Sequence, residues 1–140
     1  MNGIHHVGAT VTDLDRAVAF YVRVLDGRVL AAIDPGDDPR VPRMVGVPDA
    51  AIVGALVETA AGARIELLAY QSAHSRRLDA RPCDSPTVHL AFTVPDLEAA
   101  GRRVRDGGGA VLGERVTFDE GDFLYCTDPD GHVLELIELY

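Results

Sequence analysis

Hydrophobic and polar positions alternate along residues 4–11. Ile4, His6, Gly8 and Thr10 fall on one side of an extended chain, and His5, Val7, Ala9 and Val11 on the other. The period then changes. Ala17, Val18, Phe20, Tyr21 and Val24 recur at helical spacing behind Asp13, whose carboxylate suits the free N–H groups of a first helical turn. The run "LDGR" ends that helix at Gly27, where a left-handed closing residue is needed. Three short β-type runs follow near 28–33, 52–58 and 63–69. Between the first two, Asp34 to Ala50 holds four prolines and two glycines, which is loop composition.

The same order returns. "HVGATVTDLDRA" (His6 to Ala17) aligns with "HLAFTVPDLEAA" (His89 to Ala100), with identical residues at six of twelve positions. "GARIELL" (Gly62 to Leu68) aligns with "GHVLELI" (Gly131 to Ile137). In the second copy a strand is expected over 88–94. A helix capped by Asp96 carries Leu97, Ala100 and Val104, "DGGGA" closes it, and strands follow near 110–116, 121–127 and 133–139. The pattern predicts an α+β chain of two tandem β-α-β-β-β modules, 1–72 and 86–140. The polar, Arg-rich stretch 73–85 joins them.

The repeat separates the two adjacent histidines. His6 aligns with His89 and shares the small, polar face of its strand, whereas His5 aligns with Val88 and is expected to pack against the helix. In the last strand of each copy, Glu66 stands between Ile65 and Leu67, and Glu135 between Leu134 and Leu136. An acidic side chain within an apolar strand is costly unless it is paired or binds a cation. If a pseudo-twofold relates the modules, His6, Glu66, His89 and Glu135 converge on one point. Two imidazoles and two carboxylates suit a divalent ion such as Ni, Co, Mn, Zn or Fe and leave positions open for water or substrate. The alternative is two strand histidines and two edge glutamates at a solvated rim.

Composition narrows the partners. Net charge is −9 and apolar residues make up 47%, with all 13 basic side chains being Arg. That balance disfavours nucleic acid and anionic membrane and, without lysine, excludes a lysine Schiff base. A small-molecule substrate remains, with Arg40, Arg43, Arg76, Arg77 and Arg81 in the loops as anion-binding candidates or simply solvated charges. Cys83 and Cys126 show no metal spacing and read as unlinked thiols. No apolar run is long enough to span a bilayer and no leader is apparent, so a cytoplasmic location is expected. Asp49 is either a second acid/base group or a turn residue. Tyr70, Phe123 and Tyr125 are either cup-lining or core aromatics.

"HVGATVTDLDRAVAFY" and "DPDGHVLELIEL" resemble the vicinal oxygen chelate superfamily, which includes glyoxalase I, methylmalonyl-CoA epimerase, fosfomycin-resistance enzymes, bleomycin-binding proteins and extradiol dioxygenases. The resemblance covers essentially the whole chain and implies a cupped mixed sheet built from the two modules. It implies metal ligands at His6, Glu66, His89 and Glu135, the set most like that of bacterial glyoxalase I. The loop before His89 lacks both the Tyr-Gly-His of glyoxalase I and the Gly-Gly-Ile-His-His run of the epimerases. The implied activity is a metal-dependent lyase or isomerase that abstracts a proton beside a carbonyl, with Glu135 first and Glu66 second as base. A non-catalytic drug- or natural-product-binding protein and an iron(II) dioxygenase are the alternatives. Members commonly form homodimers, and the modules pair within one chain or between chains.

Overall fold

In a computed structural model of the chain, which describes residues 3–71 and 75–140, both expected caps form. Asp13 accepts from the Arg16 N–H at 3.0 Å and opens helix α1 (Leu14–Val24). Asp96 accepts from the Ala99 N–H at 2.8 Å and opens α3 (Leu97–Asp106). Such a cap stabilises a helix by about 1 kcal/mol. Each helix turns its apolar stripe inward, so that Ala17, Phe20, Tyr21 and Val24 on α1 and Leu97, Ala100 and Val104 on α3 are buried. The start of the expected linker, Ala73 and His74, lies outside the described residues, as does Ser72 before it.

The strands are β1 (Val7–Thr10), β2 (Arg28–Ile33), β3 (Ile52–Glu58), β4 (Arg64–Tyr70), β5 (His89–Thr93), β6 (Ala110–Val111), β7 (Val116–Phe118), β8 (Gly121–Thr127) and β9 (Val133–Leu139). They form two mixed sheets. One runs β1-β4-β3-β2; the other runs β5-β9-β8-β6, with β7 also on β8. The α+β class and the repeated strand-helix-strands order are as the pattern predicts. Among the described residues the sheets do not join into one ladder, and β1 and β5 each end their own sheet with an unpaired edge. Helix α1 packs on β3 and β4, α3 packs on β8, β6 and β9, and the helices touch each other. One apolar core therefore links both halves, from Ala9 and Val11 through Phe20 and Leu67 to Val104 and Leu136.

Register preserves the repeat. Gly8 pairs with Glu66 across the parallel β1–β4 ladder, and Ala91 pairs with Glu135 across β5–β9. The flanking Ile65, Leu67, Leu134 and Leu136 are buried, so both glutamates point away from the core.

Five local expectations are corrected. His5 is exposed and does not pack on a helix, because the strand begins at Val7 and the alternation does not reach back to residue 5. Val88 is likewise 75% exposed ahead of β5. Asp26, not Gly27, takes the left-handed conformation after α1, with φ 47°. Gly27 is needed instead for close approach, since a Cβ there would meet the Glu58 carbonyl oxygen at 2.9 Å. The expected strand over 110–116 divides into β6 and β7, and the 34–50 loop contains a short helix α2 (Arg40–Val45) ended by Gly46 at φ 70°.

A polar seam joins the two halves beside the core. The buried Tyr21 hydroxyl donates to Asp128 Oδ2 at 2.9 Å, and His132 Nδ1 lies 2.8 Å from the same oxygen. Asp128 Oδ1 accepts the backbone N–H groups of Asp130 and His132, fixing the β8–β9 turn. Asp130 Oδ1 accepts from the Thr12 hydroxyl at 2.5 Å and from Arg16 at 3.1 Å, tying that turn to the start of α1.

Candidate metal centre

The four residues singled out by the repeat are brought together as two pairs. His6 Nε2 lies 3.3 Å from Glu66 Oε2, and His89 Nε2 lies 3.3 Å from Glu135 Oε2. Glu66, His89 and Glu135 lie on the open faces of their sheets, and His6 immediately precedes β1. The glutamate side chains are largely covered, at 25% and 16% exposed, while the imidazoles are more open. No group of three or more His, Cys, Asp or Glu side chains assembles into a possible metal site among the described residues of one chain. Each sheet therefore carries one His–Glu pair.

The spacing within each half suits a shared cation. Two donors each roughly 2.1 Å from one ion are separated by roughly 3.0 Å at an octahedral edge and roughly 3.4 Å at a tetrahedral one. The observed 3.3 Å falls between these values in both pairs. Small residues leave room for it, since a Cβ on Gly8 would lie 3.9 Å from Glu66 Oε2 and Ala91 occupies the matching place beside Glu135. Nitrogen and carboxylate donors together fit a borderline divalent ion and would not select a soft one.

The halves differ in what surrounds them. Tyr125 stands opposite Glu135 across β8–β9, with its hydroxyl 3.4 Å from His89 Nε2. Burial, and then the charge of Glu135, raise the Tyr125 phenol above its ordinary value. The corresponding neighbour of Glu66 across β3–β4 is Leu56. Only the second half carries a polar group at that place. Phe123 lies on the same open face and meets Phe118 edge-on at 5.4 Å. Tyr70 follows Glu66 and Leu68 along the open face of β4.

The loop candidates are placed elsewhere. Arg40 is bound to Asp38 and Arg81 to Asp84, each within its own loop. Arg43 lies on α2. Arg76 and Arg77 line a cavity of about 460 Å³ that follows Val7 to Thr12 and is bounded by Val88, Leu90 and the 130–133 turn. Asp49 has φ 56° and is the turn residue before β3. Both thiols are free, Cys83 exposed and Cys126 buried, and burial pushes the Cys126 thiol up to about 12. Sequence reasoning missed the Tyr21–Asp128–His132 seam. The "DPDGH" run was its only local trace, and nothing in that run points to Tyr21.

The model of the Glyoxalase/Bleomycin resistance protein/Dioxygenase superfamily matches residues 3–136. The chain belongs to that superfamily. It is 31% identical over 144 residues to a 2-epi-5-epi-valiolone epimerase from an Actinomyces species, covering 97% of this chain and 79% of the relative. It is 30% identical over 135 residues to a lactoylglutathione lyase of Salmonella typhimurium, covering 95% and 90%. In fold it is similar to a glyoxalase family protein of Bacillus cereus, with TM-score 0.86, 21% identity and 99% and 96% of the two chains covered. The glyoxalase I and epimerase relatives support enzyme activity in general for this glyoxalase-superfamily chain. No helix among its described residues is long and apolar enough to cross a membrane.

Proposed function

We propose that this glyoxalase-superfamily chain is a divalent-metal-dependent lyase or isomerase that removes a proton from a carbon beside a carbonyl in a small-molecule substrate. The observation that carries the reading is the matched pair of His–Glu half-sites, each with 3.3 Å between donor atoms, at equivalent places in the repeat. His6, Glu66, His89 and Glu135 would hold the ion. When bound, the ion supplies Lewis acidity that lowers the cost of negative charge on the carbonyl oxygen. Glu135 accepts the proton, and Glu66 serves the opposite face of the substrate. An epimerase and a lactoylglutathione lyase among the relatives support this chemistry.

The four ligands meet when two copies associate, His6 and Glu66 of one facing His89 and Glu135 of the other. The free edges of β1 and β5 favour such a homodimer. So does the apolar surface left open at Val29, Leu30, Val116 and Phe118. In this reading the dimer works in the cytoplasm, with neither nucleic acid nor membrane as partner.

The test is metal content of protein purified without added metal, followed by solvent deuterium exchange with each of Ni, Co, Mn, Zn and Fe(II). The substrate panel covers hemithioacetals, ketone epimers and methylmalonyl-CoA. Expected are bound metal that His6→Ala loses, and deuterium entering the carbon beside the carbonyl in wild type and not in Glu135→Gln. Metal-free protein that binds a bulky aromatic ligand without exchange supports the natural-product-binding alternative. Oxygen uptake with catechols supports the dioxygenase.

A further inference from the structure

We infer that His5 is a positioning residue for His6, holding that imidazole so that Nε2 is the nitrogen presented to a cation. The inference rests on the metal reading above. His6 has two ring nitrogens with different neighbours. Nε2 faces Glu66 Oε2 at 3.3 Å, while Nδ1 lies 2.7 Å from His5 Nδ1. The two rings meet edge to face, with centroids 5.0 Å apart and planes at 80°.

A neutral imidazole carries one N–H and one lone pair. When Nε2 gives its lone pair to a cation, the proton of His6 must sit on Nδ1. That N–H is then directed at His5 Nδ1, which accepts it while His5 keeps its own proton on Nε2. No proton is gained or lost by this pairing, only a tautomer chosen for each ring. Metal-bound histidines are held in this way by a hydrogen bond from the second nitrogen, which fixes both tautomer and ring orientation.

His5 is not a ligand in this arrangement, because the nitrogen it brings close is already occupied by His6. Its place just before β1 supports the role: it lies outside the ladder, and its exposed ring is free to lean over its neighbour. The second half-site lacks the device. Val88 occupies the equivalent position and offers no side-chain acceptor, and the polar contact there comes from Tyr125 on the Nε2 side of His89. The two halves of one donor set are thus held differently, His6 through its far nitrogen and His89 without that support from residue 88.

Zinc is titrated into metal-stripped full-length protein against a chromophoric chelator, for wild type, His5→Phe and His5→Asn. Imidazole N–H signals are recorded by ¹⁵N NMR on the zinc-loaded forms. Phe keeps a ring of similar size and removes the acceptor, whereas the Asn side-chain oxygen accepts. Expected are zinc affinity lowered about 10- to 100-fold in His5→Phe, loss of a slowly exchanging His6 Nδ1–H signal, and recovery of most of both in His5→Asn. Wild-type affinity and an unchanged His6 signal in His5→Phe overturn the inference while leaving the metal reading intact. An equal drop in both variants assigns the effect to local folding and also overturns it. Wild-type protein that takes up no zinc or other divalent ion overturns the metal reading itself, and the inference with it.

Discussion

If each complete centre draws half its ligands from each of two copies, two broken chains can mend each other. Take His6→Ala in one chain and His89→Ala in another. Within either parent homodimer every centre lacks one of its four ligands. In a mixed dimer the lesions fall together: one centre lacks both histidines, and the other takes His6 and Glu66 from the second chain and His89 and Glu135 from the first, all intact. Random pairing of equal amounts makes about half the dimers mixed, and one of the two centres in each is whole, so roughly a quarter of wild-type metal binding returns. Mixed dimers isolated with two different tags return roughly half. The assay is metal per chain after co-refolding and desalting, read by mass spectrometry, with separately refolded parents as the baseline. The alternative geometry makes an opposite forecast. Were the four ligands to meet inside one chain, each chain would carry its own lesion and mixing would restore nothing. Metal content of purified mixed dimers that stays at the parental level would refute the cross-chain arrangement. The structure motivates the experiment through two distances of 3.3 Å in separate sheets and the absence of any larger ligand group among the described residues.

Two further outcomes are expected away from the centre. Tyr21→Phe removes one hydroxyl from a fully buried ring and leaves Asp128 its bonds from His132 and two backbone N–H groups, so no acceptor is orphaned. The loss should sit at the low end for a bond to a charged group, about 1.5 kcal/mol, measured by urea denaturation at fixed protein concentration, and a change below about 0.5 kcal/mol would count against the seam as a stabilising contact. The hydrogen bond with Asp128 outweighs burial and raises His132 above its ordinary 6.5. A raised folded value means that its contribution is fully present below 6.5 and disappears as pH rises through the folded pKa. Thermal stability should therefore fall over that window in wild type and stay flatter in His132→Asn, which keeps a donor but no titrating ring.

Much of the local architecture was legible because it depends on near neighbours. Asp13 and Asp96 cap their helices at a range of three residues, and the bounds of β2, β3, β8 and β9 follow the apolar runs that fill them. The misreadings share a cause. Alternation carried back to His5 overruns the strand that enforces it, and the glycine at 27 serves a close approach while Asp26 takes the left-handed conformation. In each case the decisive contact, the β1–β4 ladder or the Glu58 carbonyl, comes from a distant part of the chain.

The sequence by itself determined that the chain repeats, that His6 answers to His89 and Glu66 to Glu135, and that both glutamates leave the core. Alternation along a strand and the cost of burying a carboxylate settle those points within a few residues. Only the tertiary structure decided that the histidine–glutamate pairs lie apart in two sheets, each pair with 3.3 Å between its facing atoms. Only it brought Thr12 to Asp130 across 118 positions and Tyr21 to Asp128 across 107. Such meetings are chosen by how α1 and α3 pack between their strands, and no local period encodes that choice. It also turned the first of the two adjacent histidines, expected against a helix, onto the ring of the second.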